Sequence, residues 1–162
     1  MSKGDKKSFS MLELLTKECV RTNVEAKDWK EAVRKVGEIM VEIGAAEPRY
    51  IDAMIKTVKE MGPYIVITKG IAIPHGRPEE GTLKLSFVFV KLKKPVEFGN
   101  PDNDPVDILI GFTATESGQH VKAIAQLAKF LQNSEYVEKM RKAKNDDELY
   151  QVLLESFRSL EK

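Results

Sequence analysis

The segment VDILIGFTAT, residues 106–115, constrains this chain more than any other. An apolar run that does not alternate, rich in Ile and Leu, predicts a strand covered on both faces. It is far too short to cross a bilayer, as is YIVI at residues 64–67, so no direct membrane insertion is expected. A strand buried on both sides needs a layer packed against each face.

The flanking sequence offers helices for those layers. DWKEAVRKVGEIMVEIG places Trp29, Ala32, Val33, Val36, Ile39, Met40 and Ile43 at three- and four-residue steps, with Asp28 as N-cap and Gly44 at the end. A second helix begins near Pro48 and runs to Gly62 on a stripe of Ile51, Met54, Ile55 and Val58. SMLELLTKEC reads as a short helix with Ser10 at its N-cap, and VRTNVE as a first strand. YIVI and LKLSFVFVKL, residues 83–92, read as further strands, and VEFGNPDNDPV as a surface loop. After the buried run, GQHVKAIAQLAKFLQ is helical with Val121, Ile124, Leu127, Ala128 and Leu131 on its inner side. SEYVEKMRKA and DDELYQVLLESFRSL supply two more helices. The expected fold class is α/β: a three-layer α/β/α sandwich with a central mixed β-sheet flanked by helices. One domain is expected over residues 10–162, preceded by a flexible tail at residues 1–9.

Composition removes several function classes. Lys and Arg total 26 against 25 for Asp and Glu, a net charge of +1, so there is no electrostatic footprint for nucleic acid. The single Cys19 excludes an internal disulfide and fits a reduced, cytoplasmic setting. The charged segment MLELLTKECV is no signal-peptide core. No G-x-S-x-G elbow, P-loop, G-x-G-x-x-G or H-E-x-x-H occurs, which argues against a serine hydrolase, nucleotide use and a zinc protease site.

The remaining chemistry rests on two histidines. His75 lies in KGIAIPHGRPEEG, residues 69–81, between Pro74, which fixes φ, and Gly76; Gly70 opens the same stretch. A rigid loop presenting an imidazole suits nucleophilic or general-base work, and a plain loop histidine is the alternative reading. His120 falls in the first turn of the helix after the buried strand, where unpaired N–H groups and the helix dipole favour an anion. It reads equally as a helix-surface residue. The pair could also contribute to a metal or small-anion site.

The segments GIAIPHGRPEEG and DPVDILIGFTATESGQHVKAIAQLAKFL resemble the enzyme IIA domain of the bacterial phosphoenolpyruvate-dependent phosphotransferase system, of the mannitol/fructose type (type 2). EMGPYIVITKGIAIPHGRPEEG and PVEFGNPDNDPVDILIGF lean towards its ascorbate-type branch. The resemblance runs from about Ser10 to the end of the chain. It implies a phosphoryl carrier in which His75 is phosphorylated by HPr and emptied onto a cysteine of enzyme IIB, for uptake of ascorbate or a related sugar through membrane IIC. His120 is then the helper that orients His75 or stabilises the phosphoryl group, and Gly70, Pro74 and Gly76 shape the active loop. Mannitol-type and nitrogen-regulatory relatives carry an Arg-Glu pair upstream of this loop. Here that spacing holds Lys59 and Glu60, which leaves Arg77 as the replacement cation. No cofactor and no metal is implied, and Ile71, Ile73 and Phe98 are expected on an apolar docking rim. A regulatory module of the same fold, signalling to a transcription factor or kinase, is the alternative.

Overall fold

A computed structural model describes residues 10–161; the expected tail at residues 1–9 lies outside the described residues. Five strands, β1 (Val20–Val24), β2 (Val66–Thr68), β3 (Ile71–Ala72), β4 (Ser86–Val96) and β5 (Val106–Thr113), form one mixed sheet. Its order is β1-β4-β5-β3-β2, so the buried run is the central strand, as its composition required. β1 and β4 are parallel, as are β3 and β5; β4 and β5 are antiparallel, as are β2 and β3.

Among the described residues six helices cover the two faces: α1 (Met11–Leu14), α2 (Trp29–Glu42), α3 (Arg49–Met61), α4 (Ser117–Leu131), α5 (Ser134–Lys142) and α6 (Asp146–Leu160). The period of two in β4 sorts its side chains between the layers. Val88 and Val90 pack with α2 and α3, whereas Phe87 and Phe89 pack with α4, α5 and α6; all four are fully buried. The result is the expected three-layer sandwich. Two expected caps form: Asp28 accepts from Glu31 N at 2.9 Å, and Gly44 follows α2 with φ +75°. Among the described residues no helix is long and apolar enough to cross a membrane.

Several local expectations are corrected. The segment 10–19 is not one helix: α1 stops after four residues, Leu15 is extended, and Lys17–Cys19 form a 3-10 turn. Met11, Leu15 and Cys19 are nonetheless all buried, so the four-residue periodicity marked a buried face that the chain reaches without continuous helix. Ser10 caps nothing; its hydroxyl donates to the Glu161 carboxylate at 3.0 Å, and the same carboxylate accepts Met11 N at 3.0 Å. YIVI is likewise divided, since Pro63–Ile65 form a 3-10 turn before β2. β2 then folds back at once into β3, which lies inside the stretch read as a loop.

The stripe expected on α4 is rotated. Its buried residues are Ala123, Leu127 and Phe130, while Val121 and Ile124 are 67% and 42% exposed and Ala128 is exposed. Both sets share Leu127 and both have helical spacing, but only one buries Phe130. That ring stacks on Phe157 of α6 at 4.8 Å, and the area of a buried aromatic decides the orientation. The loop after β4 is held by Asp104, whose carboxylate accepts the backbone N–H groups of Phe98, Gly99 and Asn100 at 2.9, 2.7 and 2.9 Å.

Candidate active site

Because β3 and β5 are parallel neighbours, their C-terminal ends open on the same edge of the sheet. Ligands bind preferentially in such positions in open α/β sheets. β3 leads through Ile73 and Pro74 into His75, and β5 leads through residues 114–116 into α4, whose fourth residue is His120. The hairpin that starts this path turns at Gly70, where φ is +74°. A Cβ there would also lie 2.8 Å from Arg141 Nη2 and 3.0 Å from Asp107 Oδ1, which itself pairs with Arg141 Nη1 at 2.5 Å. Glycine satisfies both the left-handed backbone and the close approach.

The two histidines, more than forty residues apart in sequence, meet. The His75 ring stacks on Phe112, the penultimate residue of β5, with centroids 4.9 Å apart and planes at 18°. His120 presents its ring edge-on to both, 5.3 Å from His75 and 5.2 Å from Phe112. Phe112 is buried and both imidazoles are half-buried, so one apolar ring forms the floor for two polar ones.

The protonation pattern of His75 follows from its backbone contact. Nδ1 lies 2.9 Å from the carbonyl oxygen of Ile73, which can only accept. Nδ1 therefore carries the proton, and Nε2 keeps its lone pair. Burial pushes the His75 pKa below that of an ordinary imidazole; the Ile73 bond opposes this in part and the neighbouring His120 adds to it. The ring is thus neutral at pH 7, a nucleophilic imidazole with one defined free nitrogen.

His120 stands at the positive end of a helix. The N-cap position is Glu116, whose side chain makes no cap bond, and Gln119 Oε1 is occupied by Thr115 N and Thr115 Oγ1, both at 2.9 Å. Among the described residues no side chain thus caps the first-turn amides of α4, a donor set suited to an anion. Arg77 is exposed, and among the described residues no ion pair or hydrogen bond holds its guanidinium. Its backbone N–H donates to Glu80 Oε1 at 2.7 Å, which shapes the turn beyond the loop. Lys59 and Glu60 are exposed on α3.

One residue of the site escaped the sequence reading. Tyr50, buried on α3, accepts the Gly76 N–H at 2.7 Å, with its hydroxyl also 3.3 Å from the Phe112 carbonyl oxygen. Burial is the main cause that pushes its pKa up to about 12, so the hydroxyl keeps its proton. The four-residue repeat Tyr50, Met54 and Val58 was the available signal, since a buried tyrosine generally needs a partner for its hydroxyl. The expected docking rim is also corrected. Ile71, Ile73 and Phe98 are 0%, 5% and 7% exposed because each points into a core. The exposed apolar side chains next to the site are instead Val121 and Ile124, one residue and one turn beyond His120. Among the described residues no group of three or more His, Cys, Asp or Glu side chains could hold a metal ion. Cys19 is buried with its sulfur 3.2 Å from Thr16 Oγ1.

Comparison with known proteins gives a consistent picture. Residues 13–156 match the model of a family described as phosphoenolpyruvate-dependent sugar phosphotransferase system, EIIA 2. The chain is 40% identical over 135 residues to the ascorbate-specific PTS system EIIA component of Escherichia coli strain K12, covering 83% of this chain and 88% of that one. Among solved structures it is similar to the mannitol-specific cryptic phosphotransferase enzyme IIA CmtB of Escherichia coli, with a TM-score of 0.82 and 28% identity over 91% of this chain and 99% of that one. It is similar also to a chain in the complex of enzyme IIAMtl and phosphorylated enzyme IIBMtl from Escherichia coli, with a TM-score of 0.75 and 28% identity. That match covers 90% of this chain and 97% of the other.

Proposed function

Because the chain belongs to the EIIA 2 family of the phosphoenolpyruvate-dependent sugar phosphotransferase system, we propose that it is a phosphoryl carrier for ascorbate uptake. His75 takes the phosphoryl group from phospho-HPr and passes it to a cysteine of an ascorbate-type enzyme IIB. The observation that carries this reading is the bond between Nδ1 of His75 and the Ile73 carbonyl, which leaves Nε2 as a neutral, oriented nucleophile beside His120. The choice of ascorbate rests on the 40% identity to the Escherichia coli component of that name. The choice of IIB as partner rests on the likeness to a IIA chain complexed with a phosphorylated IIB.

The geometry supports an in-line displacement. The Nε2 lone pair forms a bond to phosphorus as the nitrogen–phosphorus bond of the donor phosphohistidine breaks, and the donor imidazole leaves with that electron pair. His75 loses no proton in this step. Its ring becomes a phosphorylated imidazolium, and the Nδ1–H bond to Ile73 strengthens as the ring gains positive charge. Discharge runs in the opposite sense: a thiolate of the acceptor attacks phosphorus and Nε2 recovers its lone pair. Phosphoryl transfer of this kind needs positioning and charge stabilisation more than proton transfer. His120, the first turn of α4 and Arg77 are the groups that would meet the phosphoryl oxygens, with His120 also holding the ring edge. Val121 and Ile124 offer an apolar contact for successive partners.

The lowered His75 pKa fixes the sign of the pH dependence. Only the neutral ring is nucleophilic, and it persists below the ordinary imidazole value of about 6.5. The single-turnover rate of uptake from phospho-HPr should therefore fall as the pH drops, with its midpoint below 6.5. A stopped-flow pH series that corrects for donor titration checks this, and a midpoint above 6.5 would contradict it. The function itself is tested with labelled phosphoenolpyruvate, enzyme I and HPr, followed by addition of an ascorbate-type IIB. Acid-labile, base-stable label on this chain that then leaves for IIB is the expected result. Absence of label would refute the carrier reading, and label that no IIB removes would refute the transport role.

A further inference from the structure

We infer that Tyr50 is a positioning residue for the phosphoryl acceptor, its hydroxyl clamping the backbone immediately after His75 to the strand that carries the ring's floor. The inference rests on the reading of His75 as that acceptor, but its geometry stands independently. A single oxygen joins two elements here: it accepts the Gly76 N–H at 2.7 Å and its proton faces the Phe112 carbonyl oxygen at 3.3 Å. Phe112 is also the residue on which the His75 ring stacks. The tyrosine thus closes a loop of contacts, from the His75 ring to Phe112, from Phe112 O to Tyr50, and from Tyr50 back to the peptide joining His75 and Gly76.

The position is built for this contact. Tyr50 is 1% exposed, and a Cβ on residue 76 would lie 2.9 Å from its Cε1, so only glycine lets backbone and phenol meet at this separation. The phenol stays protonated throughout the working range and keeps both its acceptor and its donor role. Two consequences follow for the chemistry. The Gly76 N–H is already engaged, so it is not a donor to the phosphoryl group, and that task falls to the α4 side of the site. Loss of the hydroxyl also leaves a buried N–H unpaired and frees the 75–76 peptide to rotate, which moves Nδ1 away from Ile73 and lets the ring exchange tautomers.

The test is Tyr50→Phe in the full chain, with two readouts. Nitrogen-15 NMR of the histidine rings at pH 8 should show His75 of the parent chain protonated at Nδ1 alone. The variant should show a mixture of the two tautomers. Its single-turnover rate of phosphoryl uptake should fall roughly tenfold, with little change in the donor concentration for half-saturation. Met54→Leu, a neighbour in the same core, is the control for a purely structural role: it should lower stability and leave the tautomer and rate as they were. A Tyr50→Phe protein with the parent's tautomer and rate overturns the inference, as does a Met54→Leu protein with the same losses. Should Tyr50→Phe fail to fold, Gly76→Ala displaces the same clamp with the hydroxyl present and is judged by the same readouts. The tautomer signal needs no phosphoryl donor. Failure of the carrier reading would therefore appear as an unlabelled parent chain with an intact Nδ1–H tautomer, a result distinct from failure of the clamp.

Discussion

His75→Ala should abolish phosphoryl uptake from phospho-HPr, by at least about 10⁴-fold, because it removes the nitrogen whose lone pair the Ile73 bond holds in place. His120 is the only other histidine and its ring lies edge-on at 5.3 Å, but among the described residues no carbonyl contact fixes its tautomer. The substitution should leave the fold nearly intact, since the imidazole is half-buried at the rim of the sheet and its one polar bond is to the next-but-one carbonyl. His120→Ala should behave differently. It removes an edge contact and a candidate donor to the phosphoryl oxygens, a loss on the order of 10²–10³-fold in rate with label still found on residue 75. The comparison is made by rapid quench with labelled donor. Residual uptake in His75→Ala equal to that of His120→Ala would contradict the assignment of roles.

The largest stability effect should come from Phe112→Ala. The ring is 1% exposed in the central strand, packs 6.0 Å from Phe87, and supports both imidazoles. Truncating a buried phenylalanine costs about 3–5 kcal/mol, against a total stability of roughly 5–15 kcal/mol for a domain. The variant should therefore unfold at much lower urea with an unchanged slope, and its folded fraction should accept phosphate slowly because His75 has lost its floor. Phe112→Leu separates the two effects. It retains most of the volume and most of the stability but no flat ring, so uptake should fall more than stability does. A Phe112→Ala loss below about 1 kcal/mol would show that the ring is not the keystone of this edge.

Much of the framework was legible before the structure, and the reasons are specific. Residues 106–115 announced a central strand because both faces of it are buried, and Val36, Met40, Met54 and Val58 announced α2 and α3 because each has a single apolar stripe. α4 was misread because two stripes overlap at Leu127, and only the partner ring of Phe157 decides between them. Ile71 and Ile73 are expected on the docking rim because two partners must meet His75 in turn, but the chain makes β3 there, a two-residue strand too short to leave a pattern, and buries both. The histidine pair was legible as a pair of positions, each at the end of a strand, but not as a contact. Tyr50 was not legible as a site residue, since its partners are main-chain atoms 26 and 62 residues away. The same holds for the tautomer of His75, which depends on a carbonyl that has no signature in the sequence.

The central claim is that Nε2 of His75 is the phosphoryl acceptor, and it can be read directly. The chain, with nitrogen-15 in its histidine rings, is phosphorylated by phosphoenolpyruvate, enzyme I and HPr, and nitrogen–phosphorus couplings are recorded at alkaline pH. Coupling to Nε2 of His75, with Nδ1 still protonated and bonded to Ile73, is the result expected from this geometry. Coupling to Nδ1 of His75, or to either nitrogen of His120, would contradict it.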